Sequence, residues 1–207
     1  MPNSRAKDAC DLLDADHRAV KKMFKEYEEL TESRARNAAQ KKLDLAHQIC
    51  LELTVHAQIE EEIFYPALRG AIKDTDLLDE AEVEHQTAKD LIAQIQDAAE
   101  ADDKFDAKVK VLGEYIDHHV KEERGEIFVK ARAARKLDLV SMREELETRK
   151  EELMSDMGVE AWPACTLLGG AASSRRATRR RSRRGGRSTG RRCSFSGRAQ
   201  ARPRAWP

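Results

Sequence analysis

The sequence predicts an all-α fold: an antiparallel up-down-up-down four-helix bundle, then one extra charged helix, then a disordered basic tail. Three observations predict it. The chain is 37% charged and only 5% aromatic, a composition that suits helices with solvated outer faces and an aliphatic core. Four long segments repeat apolar residues at helical spacing. The polar breaks between them, at residues 31–36, 69–73 and 100–103, are short, and short connections make successive helices antiparallel neighbours.

The first segment, from about Ala6 to Leu30, places Leu13, Val20, Phe24, Tyr27 and Leu30 on one side. The second, from about Asn37 to Leu68, carries Leu45, Ile49, Leu53, Ile63 and Phe64. The third, from about Asp74 to Ala99, carries Leu77, Leu78, Ala81, Ala88, Ile92 and Ile95. The fourth, from about Asp103 to Ala133, carries Val109, Leu112, Ile116, Ile127 and Phe128. A fifth helix, from Leu137 to Met157, is dominated by charge and is expected to lie partly exposed, with residues 144–152 as a solvated face. The bundle is thus assigned to residues 1–135, the charged helix to 136–157 and the tail to 158–207.

The formal net charge of zero conceals two opposite parts. Of 38 basic and 38 acidic residues, positions 158–207 hold 13 Arg and one acid, Glu160, a net of +12. The preceding 157 residues therefore carry −12. The tail is rich in Arg, Ser, Gly and Ala and has no apolar face, so no core offsets the cost of ordering it. Three readings of it stay open: phosphate neutralisation on nucleic acid, contact with an acidic bundle, or out-of-frame translation of GC-rich DNA.

Cys10, Cys50, Cys165 and Cys193 form no C-x-x-C pair, which points to reduced cysteine rather than a disulfide framework. No stretch reaches the roughly 18 apolar residues of a membrane-spanning helix, and the N-terminus has no apolar signal region. A cytoplasmic protein with no membrane partner is expected.

The six histidines carry the chemical signal. His17 lies in the first segment, His47 and His56 in the second, His85 in the third, and His118 and His119 in the fourth. His56 with Glu60 and His119 with Glu123 are both H-x-x-x-E pairs, one helical turn apart and so neighbours on one face. Imidazole and carboxylate are donors that iron and zinc accept. His17, His56, Glu60, His85, His119 and Glu123 all continue apolar stripes, and buried carboxylates are costly unless paired or metal-bound. His118 with Glu122 fits the same spacing; Leu112 and Ile116, seven and three residues earlier, favour His119. A one-residue bulge would let His118 act with Glu123. His47 falls on another face, and Tyr65 and Phe64 are read as core packing, with Tyr65 close to the metal.

The order His17, His56-Ala57-Gln58-Ile59-Glu60, His85, His119-Val120-Lys121-Glu122-Glu123, with flanks such as Leu13-Asp14-Ala15-Asp16-His17 and Ile63-Phe64-Tyr65-Pro66, resembles the hemerythrin HHE cation-binding family over roughly residues 8–133. The resemblance implies a non-haem centre of two iron ions, carboxylate- and oxo-bridged. His17, His56, His85 and His119 would be terminal ligands, and Glu60 and Glu123 bridging ones. It further implies that the protein senses or handles dioxygen, iron, peroxide or nitric oxide. Oxygen-carrying members have a further histidine where this chain has Lys89, so simple reversible carriage is disfavoured; a water, Glu61 or Glu82 would complete the ligand set. A di-iron oxidoreductase acting on peroxide or nitric oxide is one alternative. A nucleic-acid-associated regulator that binds through its tail is another.

Overall fold

The computed structural model describes residues 6–157. They form α1 (Ala9–Thr31), α2 (Ala38–Ile59), a π-helical turn π1 (Glu60–Phe64), α3 (Tyr65–Arg69), α4 (Asp76–Gln96), α5 (Asp103–Glu122), a second π-helical turn π2 (Glu123–Ile127), α6 (Phe128–Ala133) and α7 (Leu139–Asp156). Each H-x-x-x-E segment of the sequence thus ends at the residue where an α-helix gives way to a π turn.

The helix starts are chemically marked. Asp8 accepts a hydrogen bond from the Asp11 N–H while Asp11 accepts one from the Asp8 N–H, a reciprocal cap on α1. Asp102 caps α5 through the Phe105 N–H, and Asp138 caps α7 through Val140 and Ser141. The π turns also have local correlates. Pro66 lacks an N–H just after π1, and Gly125, a weak helix former, lies within π2.

Side-chain pairs give the helix directions. Asp8 with Arg132, Asp14 with Arg124, Lys21 with Asp117 and Tyr27 with Asp106 run α1 against the α5–α6 segment in opposite senses. Glu61 with Lys89 and Arg69 with Asp79 do the same for the α2–α3 segment and α4. Glu84 with His119 and Gln94 with Lys108 do so for α4 and α5. At Gly113 an added Cβ would stand 3.1 Å from the Phe24 ring, so glycine is what lets α5 approach α1 here.

The apolar interior is divided. One cluster gathers Leu13, Val55, Ile59, Phe64, Leu78 and Ile127, among others. The other gathers Val20, Ile49, Leu53, Ile92, Val109 and Leu112, among others. Because α1 enters the first cluster with Leu13 and the second with Val20, the two lie one above the other along the helix axes. His17 falls between them, as do His85 between Ala81 and Ala88, and His119 between Leu112 and Ile127.

The charged last helix is less peripheral than its composition suggests. It packs on α1, α2 and π1. Met142, Leu146 and Leu153 are buried in the first cluster, and Leu146 is fully buried in the middle of the stretch expected to be a solvated face. Three apolar residues spaced by four and seven make a narrow stripe that the surrounding Glu and Arg obscure. Cys10 and Cys50 are free and buried. Among the described residues no helix is long and apolar enough to cross a membrane. The Arg-rich tail lies outside the described residues.

Candidate metal centre

All six expected donors converge on the polar layer between the two clusters. His17, His56, Glu60, His85, His119 and Glu123 are buried, both glutamates completely. Ligand atoms of His17, His56, Glu60 and Glu123 lie within 4.8 Å of one another, and so do those of Glu60, His85 and His119. Glu60 belongs to both groups. Its Oε1 is 3.3 Å from His56 Nε2, and its Oε2 is 3.5 Å from His85 Nε2. Glu123 spans them likewise, with Oε2 3.1 Å from His17 Nε2 and 3.7 Å from His119 Nε2. The Nε2 atoms of His17 and His56 are 2.8 Å apart, and those of His85 and His119 are 3.2 Å apart.

In the fourth segment, burial favours His119 over His118. The His119 side chain is 5% exposed, whereas that of His118 is 62% exposed and faces Glu122 at 3.2 Å. The bulge that would have let His118 turn inward does occur, but π2 begins at Glu123, after both histidines. His47 is exposed, as its offset from the apolar stripe implied.

Neither carboxylate proposed to stand in at the Lys89 position faces the centre. Glu61 lies behind His85, accepting from Nδ1 at 2.9 Å, and is held from its far side by Lys89 at 2.7 Å. Glu82 pairs with Arg69 on the exposed side of α4. Tyr65, read from sequence as core packing near the metal, is buried in the first cluster and also reaches the centre. Its hydroxyl donates to Glu123 Oε1 at 3.0 Å and lies 3.5 Å from His85 Nε2. In an α-helix a residue five positions after Glu60 points about 140° away from it. The wider π1 turn closes this angle, bonding the Tyr65 N–H to the Glu60 carbonyl.

Carboxylates stand behind three of the histidines. Glu61 takes His85 Nδ1, and Glu84 takes His119 Nδ1 at 2.7 Å. Asp16 Oδ2 faces His56 Nδ1 at 3.6 Å. Each is the sequence neighbour of a donor on the preceding helix of the ring: Asp16 beside His17, Glu61 beside Glu60, Glu84 beside His85. That adjacency is the signal in the sequence that could have found them. A carboxylate at Nδ1 fixes the tautomer that leaves the Nε2 lone pair for a cation.

The electrostatics show what the donor set lacks. Burial opposes charge on His56, but Glu60 and Asp16 outweigh it and hold the imidazole up at about 10. Burial likewise opposes charge on His119, and Glu84 and Glu123 raise it nonetheless. Burial would raise the Glu123 carboxyl, yet the close His17 imidazole at 3.1 Å and the neighbouring imidazoles hold it well below the usual carboxylate range. Burial, with Glu123 and Glu60, drives the Tyr65 hydroxyl well above its ordinary value, so it stays protonated. Both Glu60 oxygens and Glu123 Oε2 are buried without any hydrogen-bond donor. Buried carboxylate oxygens normally have partners. Three orphaned oxygens among four convergent imidazole nitrogens fit cations, and nitrogen and oxygen donors suit iron.

Comparison with known proteins agrees. The hemerythrin HHE cation binding domain model matches residues 8–131. A DNA nickase from Nostoc sp. (strain PCC 7120 / SAG 25.82 / UTEX 2576) is 30% identical over 122 residues, 59% of this chain and 33% of that protein. The chain thus spans about a third of the length of this curated relative. The crystal structure of a hemerythrin HHE cation binding domain-containing protein from Mycobacterium kansasii superposes with a TM-score of 0.59 at 20% identity, over 72% of this chain and 89% of that one. The chain belongs to the hemerythrin HHE cation binding domain family and carries its metal-binding domain over residues 8–131.

Proposed function

We propose that this chain holds a pair of iron ions at the centre of an antiparallel up-down-up-down bundle and uses them to sense or handle dioxygen, peroxide or nitric oxide. His17, His56, His85 and His119 are terminal ligands in this reading, and Glu60 and Glu123 bridge. The observation that carries it is the set of orphaned oxygens on two fully buried glutamates. An effective penalty of several kcal/mol per buried ion needs a compensating charge, and a cation pair supplies it.

When bound, an iron pair supplies redox chemistry toward small oxygen and nitrogen species. The chain's own residues shape access and protonation. A chamber of about 20 Å³ adjoins the histidines, walled by apolar residues that include Leu53, Ala88, Ile92 and Ile116 together with Lys89. Its volume is that of about one water molecule, which suits diatomic molecules or peroxide and excludes larger substrates. Tyr65 Oη holds a proton at the opposite edge of the donor set, on Glu123. Lys89 stands where carriers place another histidine, which favours sensing or turnover over reversible carriage.

Metal analysis with absorption spectroscopy on protein purified without oxygen tests this reading. Two irons per chain, with near-ultraviolet bands of a coupled ferric pair after air exposure, are expected; one zinc, or no metal, overturns it. His119→Ala should lose one iron, whereas His118→Ala should retain both; equal losses would return the assignment to His118. Peroxide consumption above that of free iron would move the protein to the oxidoreductase class.

The metal-free protein also has a predicted pH signature. His56 is held at about 10 against an ordinary 6.5, so its contribution to stability is complete below 6.5 and is lost as pH rises toward 10. Metal-free protein should therefore weaken between these values in thermal melts. Iron-loaded protein, with His56 neutral and ligated, should not share that decline.

A second reading rests on the Nostoc DNA nickase and on the +12 charge of residues 158–207. Here the tail holds nucleic acid through phosphate contacts. Removing residues 158–207 should then abolish binding to duplex DNA, and unchanged binding by the shortened protein would end this reading.

A further inference from the structure

We propose that Lys89 and Lys150 are positioning residues that set the electron-donating strength of His85 and His56, acting through the carboxylates between them. This rests on the cation pair proposed above.

The two groups of donors each have one such chain. Behind the group containing His85, Lys89 Nζ contacts both Glu61 oxygens at 2.8 and 2.7 Å, and Glu61 accepts from His85 Nδ1 at 2.9 Å. Behind the group containing His56, Lys150 Nζ lies 2.8 Å from Asp16 Oδ1, and Asp16 Oδ2 faces His56 Nδ1 at 3.6 Å without a hydrogen bond, so this second link acts through the carboxylate's charge alone. Both lysines sit at the edge of the bundle, with side chains 23% and 22% exposed, while the imidazoles they address are buried. The third backed histidine, His119, differs. Its carboxylate, Glu84, has the exposed His118 imidazole at 3.8 Å instead of a lysine.

Lys150 lies on α7, outside the family-matched residues 8–131. The last helix of this chain therefore contributes to the centre. Leu146, one turn before Lys150, is fully buried and anchors that part of the helix.

The direction of the effect follows from charge. A carboxylate that accepts from Nδ1–H pushes electron density into the ring and makes Nε2 a better donor. An ammonium on the far side of that carboxylate withdraws density and moderates the push. Neutralising the lysine should strengthen Nε2 and favour the oxidised metal. Converting the carboxylate to an amide should do the reverse.

The test uses the full chain reconstituted with iron. Iron content, midpoint potential by optical redox titration, and cobalt(II) affinity by chelator competition are measured. Lys89→Met and Lys150→Met are expected to keep iron and shift the potential negative, while Lys89→Arg and Lys150→Arg stay near the parent. Glu61→Gln and Asp16→Asn are expected to shift it positive and weaken cobalt(II) binding by about 10- to 100-fold. In the Glu61→Gln background, Lys89→Met should move the potential no further, and likewise Lys150→Met in the Asp16→Asn background. A shift that persists in the amide backgrounds would mean direct through-space charge and overturn the relays. So would methionine variants that titrate like the parent. Should a methionine variant fail to fold by circular dichroism, the glutamine variant of the same lysine is titrated in its place. A parent chain that takes up no iron would overturn the cation pair itself; normal iron uptake with unmoved potentials would overturn only the relays.

Discussion

Replacing Glu60 with methionine is expected to empty both cation positions at once and to weaken the protein both with and without metal. Glu60 is the donor common to both groups. It is also fully buried with neither oxygen hydrogen-bonded. Glu60 nevertheless lies 3.3 Å from His56 Nε2 and holds that imidazole charged, and removing one partner of a buried charge pair costs about 3–5 kcal/mol. The metal-loaded comparison should show a larger loss. A ligand present at about a thousand times its dissociation constant stabilises the native state by about 4 kcal/mol, and the variant forgoes this. Urea unfolding of parent and variant, each with and without metal, gives the four numbers. A metal-free variant as stable as the metal-free parent would show that Glu60 supports no charge on His56 in the absence of a cation, and a metal-loaded loss no larger than the metal-free one would show that it holds no cation.

Leu146→Ala should cost about 2–5 kcal/mol, the range for truncating a buried leucine. Leu146 is fully buried among Leu13, Val55 and Ile59 of the first cluster. Denaturant unfolding of the iron-loaded protein measures the change. A loss below about 0.5 kcal/mol, the usual range for surface substitutions, would make α7 an appendage. Val140, 46% exposed on the same helix, provides the comparison, and Val140→Ala should fall within that surface range.

The six candidate donors stood out in the sequence and the carboxylates behind them did not, for identifiable reasons. His17, His56, Glu60, His85, His119 and Glu123 each interrupt an apolar stripe, and a polar residue in a stripe is conspicuous. Asp16, Glu61 and Glu84 sit one position off the stripe, where an acid ordinarily meets water, and nothing in periodicity separates them from surface charge. Only their adjacency to a donor marks them. Tyr65 was expected near the metal, but its hydrogen bond to Glu123 was hidden by the assumption of uniform helical twist, since π1 rotates everything after Glu60. The burial of Leu146 was hidden by its neighbours, Glu144, Glu145 and Glu147. Helix positions were legible to within a few residues because the breaks are polar and the caps at Asp8, Asp102 and Asp138 follow ordinary rules. The π turns had no comparable signal, as Pro66 and Gly125 are each compatible with a plain helix end or interior.

The polar layer between the two apolar clusters has a consequence for cooperativity. Side chains transmit folding between neighbouring regions through close packing, and here packing is interrupted at one level of all four long helical segments. Without a cation that level holds orphaned oxygens and charged imidazoles, which is a seam. With cations it becomes the most heavily cross-linked level of the molecule, drawing on α1, α2 with π1, α4, and α5 with π2 together. Metal occupancy should therefore govern whether the halves above and below the seam open as separate units in hydrogen exchange or only as one. In that sense the centre would be a fastener as well as a reactive site, so that a protein stripped of metal could keep its helices while losing the unity of its fold.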